Sequence, residues 1–171
     1  MSRVLILIAP KNFQDHEFAA PRRILSEGGH TCTVLSTTHQ MCTGKFGMEV
    51  LPDLTVNEVD MDGFEALVLI GGPGAPLLAE NQGILEIIRC AEQKKKIIAA
   101  ICIAPILLAA AGILRGHQAT VYPAETALEK FKTADVLYTG DDVTVDRNII
   151  TANGPAAAEA FAQQLLKALE P

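Results

Sequence analysis

Five consecutive apolar residues, Val4-Leu5-Ile6-Leu7-Ile8, open the chain and lead into Ala9, a short β-favouring run that reads as a buried strand. Similar runs recur at Thr31 to Leu35, Ala66 to Ile70 and Ile97 to Ile101. Between them the spacing becomes helical. A helix is predicted from about Pro21 to Glu27, stopped by Gly28-Gly29, and another carries Ile84, Leu85, Ile88 and Ala91 on one face. Ala104 to Ala111 forms a short helix ended by Gly112, and a last one runs from about Pro155 with Phe161, Leu165 and Leu169 aligned. Val136 to Tyr138, Val143 to Val145 and Asn148 to Thr151 suit shorter strands or a hairpin. Strands that alternate with helices predict an α/β fold with a mostly parallel sheet covered on both faces.

Length and composition narrow this further. The 171 residues suffice for one full-sized core, so a single domain over 1–171 is expected. Hydrophobic residues make up 49% and charged ones 20%, which favours compact folding over disorder. Fourteen basic against twenty acidic side chains leave a formal charge of −6, which provides no general hold on nucleic-acid phosphates. Cys32, Cys42, Cys90 and Cys102 form no Cys-x-x-Cys pair, so neither a zinc site nor a redox dithiol is expected. The first apolar run is too short for a signal-peptide core and has no small-x-small cleavage site, which predicts a cytoplasmic protein with reduced thiols. Ile97 to Leu114 is an uncharged run of eighteen residues, long enough for a membrane helix. Its β-branched opening, its alanines, Pro105 and the basic residues on both flanks argue instead for a strand followed by a new helix, and for no membrane partner.

Ligands of open α/β sheets bind beyond the carboxyl ends of the strands, so the reactive side chains there matter most. After Ile101 comes Cys102, with Ala100 and Ala104 two residues to either side. Small flanks suit a nucleophile elbow, a sharp turn from strand to helix that projects one side chain into the crevice. A helix start beside the sulfur would favour thiolate. The plainer reading makes Cys102 a small hydrophobe in an apolar run, and its place between strand and helix is what sets it apart. Glu17 is the second candidate, expected just before a helix whose first turn holds Pro21. A carboxyl in a dry pocket there has a raised pKa and could share a proton with a neighbouring sulfur, whereas on the surface it would be an ordinary solvated glutamate. The loop Gly71 to Pro76 is no dinucleotide fingerprint, but the N–H of Gly72 could face the N–H of Ile103 as an oxyanion hole. Asp15, His16 and Glu17 are adjacent and cannot easily converge on one ion, while Asp141, Asp142 and Asp146 lack the pattern of a calcium loop. No metal is expected.

These residues are similar to those of the ThiJ/PfpI superfamily, which includes the human Parkinson-disease deglycase and archaeal intracellular proteases. The resemblance covers nearly the whole chain: the Val4-Leu5-Ile6-Leu7 strand, Glu17 followed by Pro21, Leu67 to Gly72, Ala99-Ala100-Ile101-Cys102 with Pro105, and Thr151 to Pro155. It implies a flavodoxin-like three-layer sandwich, a homodimer, no cofactor, Cys102 as nucleophile and Glu17 hydrogen-bonded to its sulfur. It also points to Tyr122, Asn153 and Gly154 as pocket residues. Implied substrates are small carbonyl compounds or glycated groups. A redox sensor or chaperone, and an intracellular cysteine protease or amidase, are the other activities that the resemblance brings.

The chain departs from the family pattern at two histidines. The protease-like branch has histidine directly after the cysteine, where this chain has Ile103, and the deglycase-like branch has a Thr-x-His-Pro stretch, where this chain has Thr120-Val121-Tyr122-Pro123. Cysteine proteolysis needs a base to form thiolate and an acid for a poor amine leaving group, roles that suit imidazole. Addition of a thiol to an aldehyde has no leaving group, and one carboxyl could move the single proton required. The sequence therefore favours glyoxalase-like or deglycase-like chemistry over proteolysis.

Overall fold

The computed structural model describes residues Met1–Pro171. In chain order its elements are β1 (Arg3–Leu7), β2 (Lys11–Phe13), α1 (Asp15–Glu27), β3 (Thr31–Ser36), β4 (Cys42–Gly44), β5 (Glu49–Val50) and β6 (Leu54–Thr55), followed by β7 (Ala66–Leu69) and α2 (Gln82–Gln93). Then come β8 (Ile97–Ile101), α3 (Pro105–Ala110), β9 (Gln118–Ala119), α4 (Glu125–Thr133), β10 (Leu137–Tyr138), β11 (Val143–Asp146), β12 (Ile149–Ala152) and α5 (Ala158–Leu169).

Seven strands form the main sheet in the order β11-β12-β8-β7-β1-β3-β6. Every neighbouring pair is parallel except β11 with β12. Alternation along the strands divides the interior in two. Leu5, Leu7, Leu67, Leu69, Ile98 and Ala100 face a core completed by α2, α3 and α4 through Ile84, Ile88, Leu107 and Phe131. Val4, Ile6, Val68, Ile70, Ala99 and Ile101 face the other core, closed by α1 and α5 through Phe18, Leu25, Phe161 and Leu165. This is the expected flavodoxin-like three-layer sandwich. A central strand in such a sheet is buried on both faces, which is why β7 and β8 read as unbroken apolar runs.

The eighteen-residue apolar stretch is split between β8, a turn and α3, and no helix is long and apolar enough to cross a membrane. The start of α1 differs from expectation. Pro21 lies inside this helix rather than in its first turn, and Glu17 lies within the helix rather than before it. The cap is Gln14, whose side-chain oxygen accepts from the N–H of Glu17 at 2.9 Å. Proline has no N–H to give the carbonyl of Glu17, and packing of the buried Phe18, Ala20, Pro21, Ile24 and Leu25 face tolerates that loss. The last helix also begins later, with a 3-10 turn over Pro155–Ala157 ahead of α5. Sequence patterning missed α4, and it missed the β4–β5 hairpin because two- and three-residue strands leave too short a period to read.

Candidate active site

Chain order runs from β1 outward through β3 and β6 and then returns to the other side of β1 with β7 and β8. The reversal opens a crevice at the carboxyl ends of β1, β7 and β8, where doubly wound sheets hold their ligands. One short segment from each strand end meets there: Glu17 after β1, Gly71-Gly72 after β7, and Cys102 after β8.

Cys102 has φ 62°, a left-handed conformation that residues with a Cβ seldom adopt. The turn is pinned on both sides. Its N–H donates to the carbonyl of Ala152 at 2.8 Å, and its carbonyl accepts from the N–H of Tyr122 at 2.7 Å. Small neighbours permit the close approach, since a Cβ on Gly71 would lie 2.7 Å from the Cβ of Cys102, from Glu17 Oε2 and from the carbonyl of Ile101. Gly72, at φ 103°, leaves no room for a side chain against Asn12, Phe13 and Gln14. The elbow conformation expected at Cys102 is present. Gly71, not singled out beforehand, proves as necessary to its geometry as Gly72, and the doubled glycine after a buried strand was the available signal.

Glu17 is fully buried. Its Oε2 accepts from the N–H of Gly71 at 3.1 Å, while Oε1 has no hydrogen-bond partner of good geometry. The Cys102 thiol is the side-chain group that pairs with this carboxyl. Burial pushes the Glu17 carboxyl up to about 7, opposed by the Cys102 thiol and the Gly71 N–H. The Cys102 thiol is pushed up to about 12, first by burial, then by the negative Glu17 beside it and their hydrogen bond, while the N–H groups of Ile103 and Gly72 pull the other way. The two groups titrate as a pair that sheds one proton near neutrality and holds the second.

The thiol is therefore not shifted toward thiolate as the sequence suggested. Helix α3 starts only at Pro105, three residues after the sulfur, and spans 6 residues, so its dipole is remote and weak. The N–H groups of Gly72 and Ile103 both act on the sulfur.

Of the residues expected to line a pocket, Tyr122 is joined to the turn by its backbone bond to Cys102. Tyr122 is about half exposed, and its ring lies 3.9 Å from the position of a Cβ on Gly154. Asn153 is tied to Asp142 through backbone and side chain, at 3.0 and 3.2 Å. No imidazole is engaged at the cysteine: His16 is exposed, His30 accepts from Ser2, His39 faces Glu58 and His117 faces Asp146. No cluster of three metal-ligating side chains forms, and all four cysteines are free. A cavity of about 600 Å³ between α3 and α4 is lined by neither Cys102 nor Glu17.

A left-handed cysteine at the end of a parallel strand, with a buried carboxyl against it, defines a class of α/β proteins built on a nucleophile elbow. Residues 2–168 match the DJ-1/PfpI family, and the chain belongs to it. It is 36% identical over 168 residues to a deglycase of Pyrococcus abyssi, an alignment covering 98% of this chain and 99% of that protein. With a glutathione-independent glyoxalase of Caenorhabditis elegans it shares 28% identity over 166 residues, covering 97% and 88%. The crystal structure of a ThiJ/PfpI domain protein from Brachyspira murdochii matches with a TM-score of 0.94 at 28% identity, over 98% of this chain and 95% of the other.

Proposed function

We propose that this protein is a cysteine-dependent enzyme acting on reactive 2-oxoaldehydes or the early adducts they form with proteins. The observation that carries this reading is the pairing of Cys102 with the buried Glu17 carboxyl where no imidazole is engaged. Near neutral pH the pair holds one proton, mainly on sulfur. As the sulfur bonds to the aldehyde carbon, the thiol proton passes to Glu17 and the carbonyl π pair moves onto oxygen, toward the N–H groups of Gly72 and Ile103. Glu17 then returns its proton to that oxygen, giving a hemithioacetal. Ionised again, it takes the proton from C1, leaving an enediolate, and delivers it to C2, while the C1 hydroxyl proton passes to the C2 oxygen and the electron pair left on the C1 oxygen forms the carbonyl of a thioester. Water cleaves the thioester, releasing a 2-hydroxy acid and the free thiol. The sum is oxoaldehyde plus water to hydroxy acid, with no external oxidant or reductant.

A deglycase and a glyoxalase among the relatives support the same substrate class. Proteolysis is disfavoured, because nothing beside Cys102 supplies the imidazole acid that an amine leaving group needs. Burial and the neighbouring carboxylate hold this thiol protonated, and peroxide attacks thiolate, so oxidation at Cys102 is expected to be slower than at a free thiol. Four free cysteines suit the reducing cytoplasm.

The test is lactate formation from methylglyoxal, followed by NMR, for the wild type and Cys102→Ser, with intact mass recorded after methylglyoxal and, separately, after dilute peroxide. Lactate from the wild type alone, with the protein mass unchanged, is expected. No lactate, together with a stable gain of oxygen at Cys102, would support the sensor instead.

A further inference from the structure

Glu17 works only if the first turn of α1 stays where it is, and that turn is tethered on two sides. On the crevice side, Gln14 donates its N–H to the carbonyl of Gly71 at 2.9 Å and caps Glu17 with its side chain. On the opposite side stands Asp15, which is buried. Its two oxygens accept from the N–H groups of Phe46 at 2.9 Å and Met48 at 2.8 Å, both in the β4–β5 hairpin. Gly44 packs so tightly against the carboxylate that a Cβ there would lie 2.5 Å from Asp15 Cγ and Oδ1. Two backbone bonds continue the seam, from Thr43 N–H to the carbonyl of Pro10 and from Lys45 N–H to that of Phe13. The hairpin thus bonds along the whole segment leading from β1 into α1, and Asp15 is the side chain that fastens it two residues before Glu17.

We propose that Asp15 is a positioning residue, which holds Glu17 against Cys102 by clamping the first turn of α1 to the tip of the β4–β5 hairpin. A carboxylate suits this place, because both of its oxygens are acceptors matched to two N–H donors and it sits at the positive end of a helix. An amide in the same position would turn an N–H₂ toward one of those donors. The turn would then shift, carrying Glu17 away from the sulfur on which its charge keeps the proton.

This inference rests on the Glu17–Cys102 pair described above, but it is read through thiol reactivity, so failure of the aldehyde chemistry would leave its result intact. The experiment measures iodoacetamide alkylation of Cys102 at pH 8 by peptide mass mapping, in the full chain. It compares the wild type, Asp15→Asn, Gly44→Ala, Glu17→Gln and the double variant Asp15→Asn/Glu17→Gln. Asp15→Asn and Gly44→Ala are expected to react about tenfold faster than the wild type, the gain in thiolate for one unit of acidity. The double variant is expected to react like Glu17→Gln alone, because Asp15 acts through Glu17. Gly44→Ala displaces the carboxylate from the hairpin side, so it tests the clamp even if Asp15→Asn fails to fold. Wild-type rates in both single variants would overturn the proposal. So would an acceleration by Asp15→Asn that is equally large in the Glu17→Gln background, since that would mean general loosening of the fold.

Discussion

A carboxyl that titrates near neutrality inside a protein destabilises it there, and Glu17 does so while making no ion pair to offset the charge. From its ordinary value of 4.5 up to about 7, the folded state keeps a proton that the unfolded chain has lost. Stability contributed by this residue is therefore intact below pH 4.5, falls as pH rises through that window and stays reduced above it. Glu17→Gln should accordingly be more stable than the wild type at pH 8, by an amount on the order of 3 kcal/mol at most, and should lose that advantage at pH 4. Urea denaturation at the two pH values measures this, and equal midpoints at pH 8 would show that the carboxyl is better solvated than its burial implies. At this scale the sequence was informative. Cys102 stood out by its alanine flanks and Glu17 by its distance before Pro21, but the direction of the thiol shift was not readable, since it depends first on burial in the folded crevice and then on a carboxylate 85 positions away in the chain.

At the scale of elements, the turn after β8 converts a sequence run that looks membrane-like into a strand, an elbow and a short helix. The left-handed angle at Cys102 costs about 1 kcal/mol or more for any residue with a Cβ, and glycine escapes that cost. Cys102→Gly is therefore expected to be more stable than Cys102→Ala by about 1 kcal/mol, the reverse of the order inside a helix, where alanine leads by a similar amount. Chemical denaturation of the two variants decides, and alanine being the more stable would argue against the elbow. The long strands and α2 were legible because their periods span enough residues to declare themselves. The start of α1 was not. Helix rules place proline at the first turn, yet here a glutamine cap and a buried apolar face extend the helix past Pro21 toward its N-terminus, so tertiary packing overrode the local signal. The hairpin that carries the Asp15 clamp escaped notice for a related reason: β4 and β5 are held by contacts with α1 and β2 rather than by any pattern of their own.

At the scale of the whole molecule, the site exists because the sheet reverses direction beside β1 and brings the ends of β1, β7 and β8 together. Alternating strands and helices made that architecture readable, since a parallel sheet with both faces covered is the packing that such a pattern allows. Contacts across the crevice could not be read in the same way. The bond from Gly71 to Glu17 joins residues 54 apart in sequence, and the approach of Gly71 to Cys102 depends on how three strand ends are staggered. The proposed chemistry requires these three segments to act as one unit, with ionised Glu17 taking the thiol proton as sulfur attacks. The most direct measurement is kcat/KM for methylglyoxal against pH, in the wild type and in Glu17→Gln. Wild-type turnover should rise with pH through a midpoint near 7, where Glu17 ionises, and then level off. Glu17→Gln should be slower by about a hundredfold or more and should lose that midpoint. A variant that keeps both the rate and the midpoint of the wild type would contradict the account, because some other group would then be moving the proton.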